Sequence, residues 1–404
     1  MLHREKYLEY RKRSVLALAQ GCLTNSKHPK CFVDGVYPTT LVRSQGCYTW
    51  DVDGNRYIDF ICSLGVNLIG AGNETIKKEI ALQLDKGTVF SLGSKLELEF
   101  AEKIKEYFPY IEKVKVLKSG SEGCAAAVRI ARAYTKKSVV VSEGYHGWHD
   151  EFTSLTPPAN GVPKIFTEIR QLRDGRFPDA ACIIVEPVIT DISTLRIENL
   201  KRLRRFCDEN GALLIFDETI TALRFPGLSF SNWSGIRPDI TVMGKSLGGG
   251  LPLTIVGGKA EVMDSDYFVS STFAGDTTAM AASLALLNIV KGERRIDKMW
   301  DDGSRFLEQF NKLNPDLIQI VGYPAFGKFV AKDDLTKALF MQLCVRAGVL
   351  FHPVSWFWNW HHNDEARDVL EICKCALHLI AHGEAQLEGV LPVSPQSQRS
   401  RDDV

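Results

Sequence analysis

Between about residues 114 and 260, short and nearly unbroken apolar runs alternate with longer stretches of helical spacing. The apolar runs fall at 114–117, 138–142, 181–186, 212–217, 240–243 and 254–257, with helical stretches at 121–134 and 197–210 among them. An apolar run without polar alternation predicts a strand covered on both faces. Repeated alternation of such runs with helices predicts an α/β fold, a mostly parallel central sheet with helices on both sides.

The flanking regions read differently. Residues 2–20 are charged with a helical look, and a loop-rich segment with Pro29, Gly35 and Pro38 follows. Residues 47–50 and 56–61 predict a hairpin around a turn rich in Asp, Gly and Asn at 51–55. Helices are predicted at 74–86 and 95–107, and a long helical stretch runs from Ala279 towards 312. Residues 317–390 mix short strands and helices, as a smaller α+β domain would. The expected organisation is an N-terminal segment at 1–70 that packs with the small domain, a large domain at 71–290, a small domain at 291–392 and a frayed polar tail at 393–404. The sequence contains no internal repeat.

Composition narrows the class. The chain has 404 residues, 45% hydrophobic and 24% charged, and its 49 basic and 49 acidic residues cancel. That is the make-up of a globular enzyme, with no footprint for nucleic acid or an anionic membrane. Ten cysteines are scattered without zinc-ribbon or Cys-x-x-Cys spacing, so reduced core thiols are expected. The start lacks an apolar signal region and no run reaches membrane-spanning length, which together predict a cytoplasmic protein.

The run Ala-Leu-Leu-Ile-Phe-Asp-Glu ends a buried strand on Asp217, at the sheet edge where open α/β sheets bind ligands. The next apolar run delivers Lys245 into the loop Gly-Lys-Ser-Leu-Gly-Gly-Gly-Leu-Pro (244–252). A nucleotide phosphate loop would need glycine at 239, where Asp239 stands. A lysine for a Schiff base and an acid for a pyridinium nitrogen are the minimum outfit of pyridoxal phosphate chemistry. A solvated loop lysine and a strand-end acid would look the same in isolation.

Neighbouring motifs add to this. Ser119 and Glu122 have capping-box spacing, and Gly120 and Ser121 would leave backbone N–H groups free to cradle a phosphate, although an ordinary capped helix has this pattern too. The loop 142–150 offers Tyr145 or His146 as a ring to stack on a flat cofactor. His146-x-x-His149 lacks helical context and a third ligand, so no metal is expected there, and His361–His362 has the same shortcoming. The segment 270–280 carries hydroxyls and a glycine before a helix, a further candidate phosphate turn or a helix cap.

Taken together, from about residue 25 to 390, the chain resembles the class III, fold-type I pyridoxal-phosphate aminotransferases, and among them the glutamate-1-semialdehyde aminomutase branch. The resemblance rests on the motifs at 50–60, 119–122, 144–147, 185–187, 216–218, 238–252 and 272–276, in family order and spacing. It implies pyridoxal 5'-phosphate as cofactor, with Lys245 carrying the Schiff base and Asp217 pairing with the ring nitrogen. It further implies that Ser119, Gly120 and Ser121 hold the phosphate, that Tyr145 stacks on the ring, and that His146, Glu186 and Thr219 lie near the cofactor. Thr272 would reach the phosphate of the neighbouring subunit in a homodimer with shared active sites.

Departures from the family pattern concern the substrate. Thr219 replaces a branched aliphatic residue, Thr221-Ala-Leu-Arg224 replaces Thr-Gly-Phe-Arg, and Gly275-Asp276-Thr277 replaces Gly-Asn-Pro. The family's carboxylate-binding arginine segments are matched neither at 34–43 nor at 356–362, where an aromatic-rich stretch stands instead. That stretch, 351–360, could line a pocket or fill the small-domain core. The reaction implied is transfer of an amino group between an amine or amino acid and an aldehyde or ketone. An intramolecular 2,1-aminomutase and a decarboxylase or other lyase are the alternatives, and a non-catalytic binding relative is disfavoured by retention of Lys245 and Asp217.

Overall fold

The computed structural model describes residues 3–154, 161–162, 169–172, 177–188, 193, 195–292 and 294–393. These fall into two compact units: Glu74–Asp297, and the residues up to Asn73 together with those from Lys298 on.

The larger unit is built on a seven-stranded sheet. Its strands are β1 (Lys113–Leu117), β2 (Val139–Glu143), β3 (Ile169–Gln171), β4 (Ala180–Val185), β5 (Leu213–Asp217), β6 (Ile240–Met243) and β7 (Thr254–Gly258). The order across the sheet is β1-β7-β6-β5-β4-β2-β3. Pairing is parallel from β3 through β6, while β7 runs antiparallel to both β6 and β1. Strands β4, β5 and β6 are buried along their whole length, which is why their sequences lack the polar alternation of a one-sided sheet.

Helices α1 (Glu74–Leu84), α2 (Lys95–Tyr107), α3 (Gly120–Thr135), α4 (Arg196–Asn210) and α5 (Thr277–Gly292) belong to this unit. Helix α3 lies against the sheet through Ala126, Ala127, Ile130 and Ala131, in a core with Ile215, Val242 and Val256. Its Gly123 permits the close approach: a Cβ there would lie 2.7 Å from Thr254 Cγ2 and 2.7 Å from Val242 Cγ1. The long helical stretch expected after Ala279 is two helices. The first ends at Gly292, the second spans Arg295–Asn311, and Arg294 between them takes a left-handed conformation (φ 46°) that no helix interior tolerates.

The smaller unit holds a four-stranded sheet: Leu41–Gln45, the hairpin Tyr48–Asp51 and Arg56–Asp59, and Val349–Leu350. The hairpin turn is fastened by the buried Asp51 carboxylate, which accepts from Asp53 N, Asn55 N, Asn55 Nδ2 and the Tyr57 hydroxyl. A three-stranded sheet (Ile318–Tyr323, Phe326–Ala331, Ser355–Phe357) and the helices Asp334–Arg346 and His362–Ala381 complete it. The aromatic stretch 351–360 is core: Phe351, Trp356 and Trp358 are buried and pack with Phe60 and Phe306. His362 is fully buried on the face of Phe60, its Nδ1 accepting from Asn359 N and its Nε2 bonded to the Asp59 carbonyl. All ten cysteines are free thiols, and eight of them are buried. Among the described residues no helix is long and apolar enough to cross a membrane.

Candidate active site

Because β2, β4, β5 and β6 are parallel, their carboxyl ends share one edge, and each delivers polar groups there. Strand β2 leads to Tyr145 and His146, β4 to Glu186, β5 ends on Asp217, and β6 leads through Gly244 to Lys245. Lys245 itself holds a left-handed backbone (φ 46°), a conformation that costs a side-chain-bearing residue about 1–2 kcal/mol. Such strain persists only where the surroundings over-determine it.

Burial draws the Lys245 amine down to about 8, opposed by the charges of Glu186 and Asp217 and reinforced by the Arg224 cation. A lysine with a depressed folded pKa opposes folding while protonated, below about pH 8, and that opposition fades as pH rises towards the ordinary 10.5. Only the neutral amine attacks an aldehyde. Capture of pyridoxal phosphate, followed by stopped-flow absorbance, is therefore expected to accelerate with pH through a midpoint near 8. A midpoint near 10.5 would show a solvated, unperturbed lysine.

Asp217 and His146 are both buried and bonded, Nδ1 to Oδ2 at 2.9 Å. His146 Nε2 lies 3.1 Å from the Glu143 carbonyl. A carbonyl only accepts, so Nε2 carries a proton; an ionised carboxylate only accepts, so Nδ1 carries one too. His146 is thus an imidazolium paired with a carboxylate. Burial opposes its charge, but the hydrogen bond and charge of Asp217, with Glu186, hold its pKa above the ordinary histidine value. Burial likewise works against ionised Asp217, yet His146 and two bonds from Thr219 hold its pKa low. Glu186 is shifted the other way, raised by burial and by the Asp217 charge, and its Oε2 accepts from Tyr145 N at 2.9 Å.

The start of α3 forms the second part of the site. Ser119 caps it with a full capping box: its hydroxyl accepts from Glu122 N, and Glu122 Oε2 accepts from Ser119 N. Glu122 Oε2 also accepts from Lys118 N, while the N–H groups of Gly120 and Ser121 find no acceptor among the described residues. Two free N–H groups at the positive end of a 16-residue helix make an anion cradle. Gly120 is confined, since a Cβ there would come within 3.0 Å of Thr219 Cγ2. Gly147 is too: its Cβ would lie 2.6 Å from Ser121 Cα, so the loop carrying Tyr145 and His146 rests directly on the cradle. Trp148 N donates to Ser121 Oγ at 3.3 Å.

The residues singled out at 119–121, 146, 217 and 219 thus meet through direct contacts, with Tyr145 and Glu186 joined beside them. Thr272 does not join them: it is exposed in the turn before α5 and makes no hydrogen bond among the described residues. Two side chains, Cys124 and Lys118, escaped sequence reasoning. Cys124, one turn into α3, donates to Asp217 Oδ2 at 3.3 Å, and its inward position on the helix was the available signal. Lys118 Nζ pairs with Asp276 Oδ2 at 2.7 Å, and Asp276 Oδ1 caps α5 by accepting from Thr278 N and Ala279 N. The unusual Asp276 is therefore answered by the lysine that precedes the cradle. The site fits a flat phosphorylated pyridine aldehyde: an amine of lowered pKa, a carboxylate for a ring nitrogen, and a helix start for the dianion. Cys124, His146 and Asp217 are also close enough to hold a metal ion, but they already satisfy one another by hydrogen bonding.

Comparison with known proteins agrees. The family model described as aminotransferase class III matches residues 33–169 and 159–356. The glutamate-1-semialdehyde 2,1-aminomutase of Methanococcoides burtonii is 32% identical over 310 residues, covering 69% of this chain and 74% of the relative. In fold, the chain is similar to the FumI protein of Sphingopyxis sp. MTA144, with a TM-score of 0.85 at 21% identity over 94% of this chain and 98% of the other. It is also similar to the β-phenylalanine aminotransferase of Variovorax paradoxus, with a TM-score of 0.81 at 22% identity over 96% and 95% of the two chains. The chain belongs to the class III aminotransferases, pyridoxal-phosphate-dependent enzymes that act on small-molecule amines and carbonyl compounds.

Proposed function

We propose that Lys245 holds the cofactor and relays protons for amino-group transfer between an amine or amino acid and an aldehyde or ketone. When bound, pyridoxal phosphate supplies an aldehyde for amine capture and a ring that takes up electron density from the substrate carbon. The observation carrying this reading is that Lys245 and Asp217 leave adjacent parallel strands at one sheet edge, with Asp217 held there in a buried ion pair with His146. Asp217 anchors the ring nitrogen and favours its protonated form, while His146 fixes the carboxylate without itself reaching the substrate. Ser119, Gly120 and Ser121 would hold the phosphate, and Tyr145, fixed by its backbone bond to Glu186, would contribute its ring to the cofactor's binding. Thr219, against Gly120, would line the same cofactor site. Lys245 Nζ, when not bound to the cofactor, would take up a proton from the amine-bearing carbon of the substrate and hold it for return, a role suited to an amine with pKa about 8. The free thiols fit a reducing compartment, and a cytoplasmic location is proposed with them.

The 32% identical aminomutase supports a second reading, rearrangement within one substrate. Incubation with candidate amines, followed by absorbance and product mass, separates the two. Transfer leaves the cofactor in its amine form and releases a carbonyl product; an aminomutase returns an isomer without a separate donor. Carbon dioxide release would instead point to a decarboxylase.

A homodimer with shared active sites is part of the proposal. Thr277 N donates to the Thr88 carbonyl at 2.9 Å, which brings the exposed Val89 and Phe90 beside the turn carrying exposed Thr272 and Phe273. An apolar, exposed turn of this kind suits a subunit contact, and the cradle at Gly120–Ser121 supplies only part of the donors a phosphate dianion needs. Thr272→Val is expected to loosen cofactor about tenfold, the worth of a hydrogen bond to a charged group, and cofactor should shift a dilute sample towards dimer. Light scattering that finds a monomer with a full complement of cofactor would refute the shared site.

A further inference from the structure

Thr219 stands where a branched aliphatic side chain was expected, and its shape nearly matches valine. Its Cγ2 keeps the wall against Gly120, at 3.0 Å from where a Cβ of that glycine would lie. What it adds is a hydroxyl, and that hydroxyl is committed: Thr219 Oγ1 donates to Asp217 Oδ1 at 2.5 Å, beside the donation from Thr219 N at 3.1 Å. The other oxygen, Oδ2, takes His146 Nδ1 at 2.9 Å and Cys124 Sγ at 3.3 Å. An ionised carboxylate offers about four lone-pair positions. Four donors of the chain's own therefore fill Asp217 before any ring nitrogen arrives.

We propose that Thr219 is a positioning residue that acts through Asp217, its hydroxyl competing with the cofactor's ring N–H and weakening the hold of the carboxylate on it. This rests on the reading of Asp217 as the ring-nitrogen partner. Of the four donors, Thr219 Oγ1–H is the one that a shape-preserving substitution removes cleanly. His146 brings the compensating charge, Thr219 N–H is backbone, and the thiol of Cys124 is a weak donor at a longer distance. Each donor makes the carboxylate less basic and so a poorer acceptor, and the low pKa of Asp217 has the two Thr219 bonds among its causes. The chain is thereby tuned to grip the ring proton less firmly than a valine-bearing site would.

The test compares dissociation constants for pyridoxal phosphate and its deaza analogue, with C–H in place of the ring nitrogen, in wild type, T219V, T219S and D217N. The ratio of the two constants reports the Asp217–ring bond and cancels losses of packing or phosphate contact. T219V is expected to raise the preference for pyridoxal phosphate by about threefold to tenfold, since removing one of four competing donors returns only part of the worth of a hydrogen bond to a charged group. T219S, which keeps the hydroxyl and loses the methyl, should leave the ratio at the wild-type value even where both affinities fall. An unchanged or lower ratio in T219V, with D217N abolishing the preference, would overturn the role of Thr219 alone. A wild-type protein indifferent to the ring nitrogen, and unaltered in D217N, would instead remove the reading of Asp217 on which it stands.

Discussion

Lys245→Ala is expected to lower turnover by more than about 10³-fold while leaving the fold intact, because it removes both the covalent anchor and the proton carrier at one position. The lysine is anchored at the end of β6, and its left-handed backbone is set by Gly244 and the turn that follows rather than by its side chain. Alanine at that φ is no more strained than lysine. Removing a buried amine of depressed pKa also removes a group that opposes folding near neutral pH, so thermal stability of the cofactor-free protein should hold or rise slightly. Cofactor should still enter the cradle at Gly120–Ser121 but exchange freely on dialysis. Steady-state kinetics and a dialysis series check both parts, and turnover within tenfold of wild type would reject the assignment.

The second large effect concerns Asp217→Asn. The substitution nearly preserves shape and keeps an oxygen acceptor where Thr219 donates, with the amide nitrogen in place of the oxygen shared by His146 and Cys124, a weak donor, so folding and cofactor binding should survive. It removes the charge, and with it two things. The ring nitrogen loses the anion that favours its protonation, and His146, raised chiefly by its bond to Asp217, loses its counter-ion and becomes neutral. Neutral His146 keeps its Nε2 proton on the Glu143 carbonyl and can accept from the new amide, so the pocket reorganises without a buried orphan charge. A chemical step slower by about a hundredfold or more is expected. Single-turnover rates within about tenfold, roughly 1.4 kcal/mol of barrier, would mean Asp217 is not the ring-nitrogen partner.

Much of the architecture was legible because burial leaves a direct mark. The runs at 181–186, 212–217 and 240–243, apolar but for a terminal acid or a single threonine, predict strands covered on both faces, and β4, β5 and β6 are. Capping chemistry is local, so Ser119 and Glu122 announced the start of α3 correctly. Strand direction is not local. Nothing in Thr254–Gly258 tells that β7 runs against its neighbours, since an apolar run reads the same in either sense. The strand Leu41–Gln45 was missed because all five residues are exposed and show no alternation. The helix break after Gly292 was missed because Arg294 carries no breaker signature, only its own left-handed backbone.

The same division holds for the site. The sequence marked Asp217 and His146 separately, 71 positions apart, and only the fold reveals their 2.9 Å bond and the imidazolium it requires. Asp276 reads in sequence as a motif departure, and only the fold shows it paired at 2.7 Å with Lys118, 158 positions away. Cys124 looked like one more core thiol. Residue type can nominate a donor or an acceptor, but which acceptor a donor finds depends on long-range register.

Whether pyridoxal phosphate is joined to Lys245 is measured directly on the reduced holoprotein. The holoprotein is reduced with borohydride, digested, and its peptides are weighed for the pyridoxyl group. The mass should appear on the peptide containing Lys245 and nowhere else in comparable yield; its appearance on another lysine, Lys118 beside the cradle included, would contradict the account.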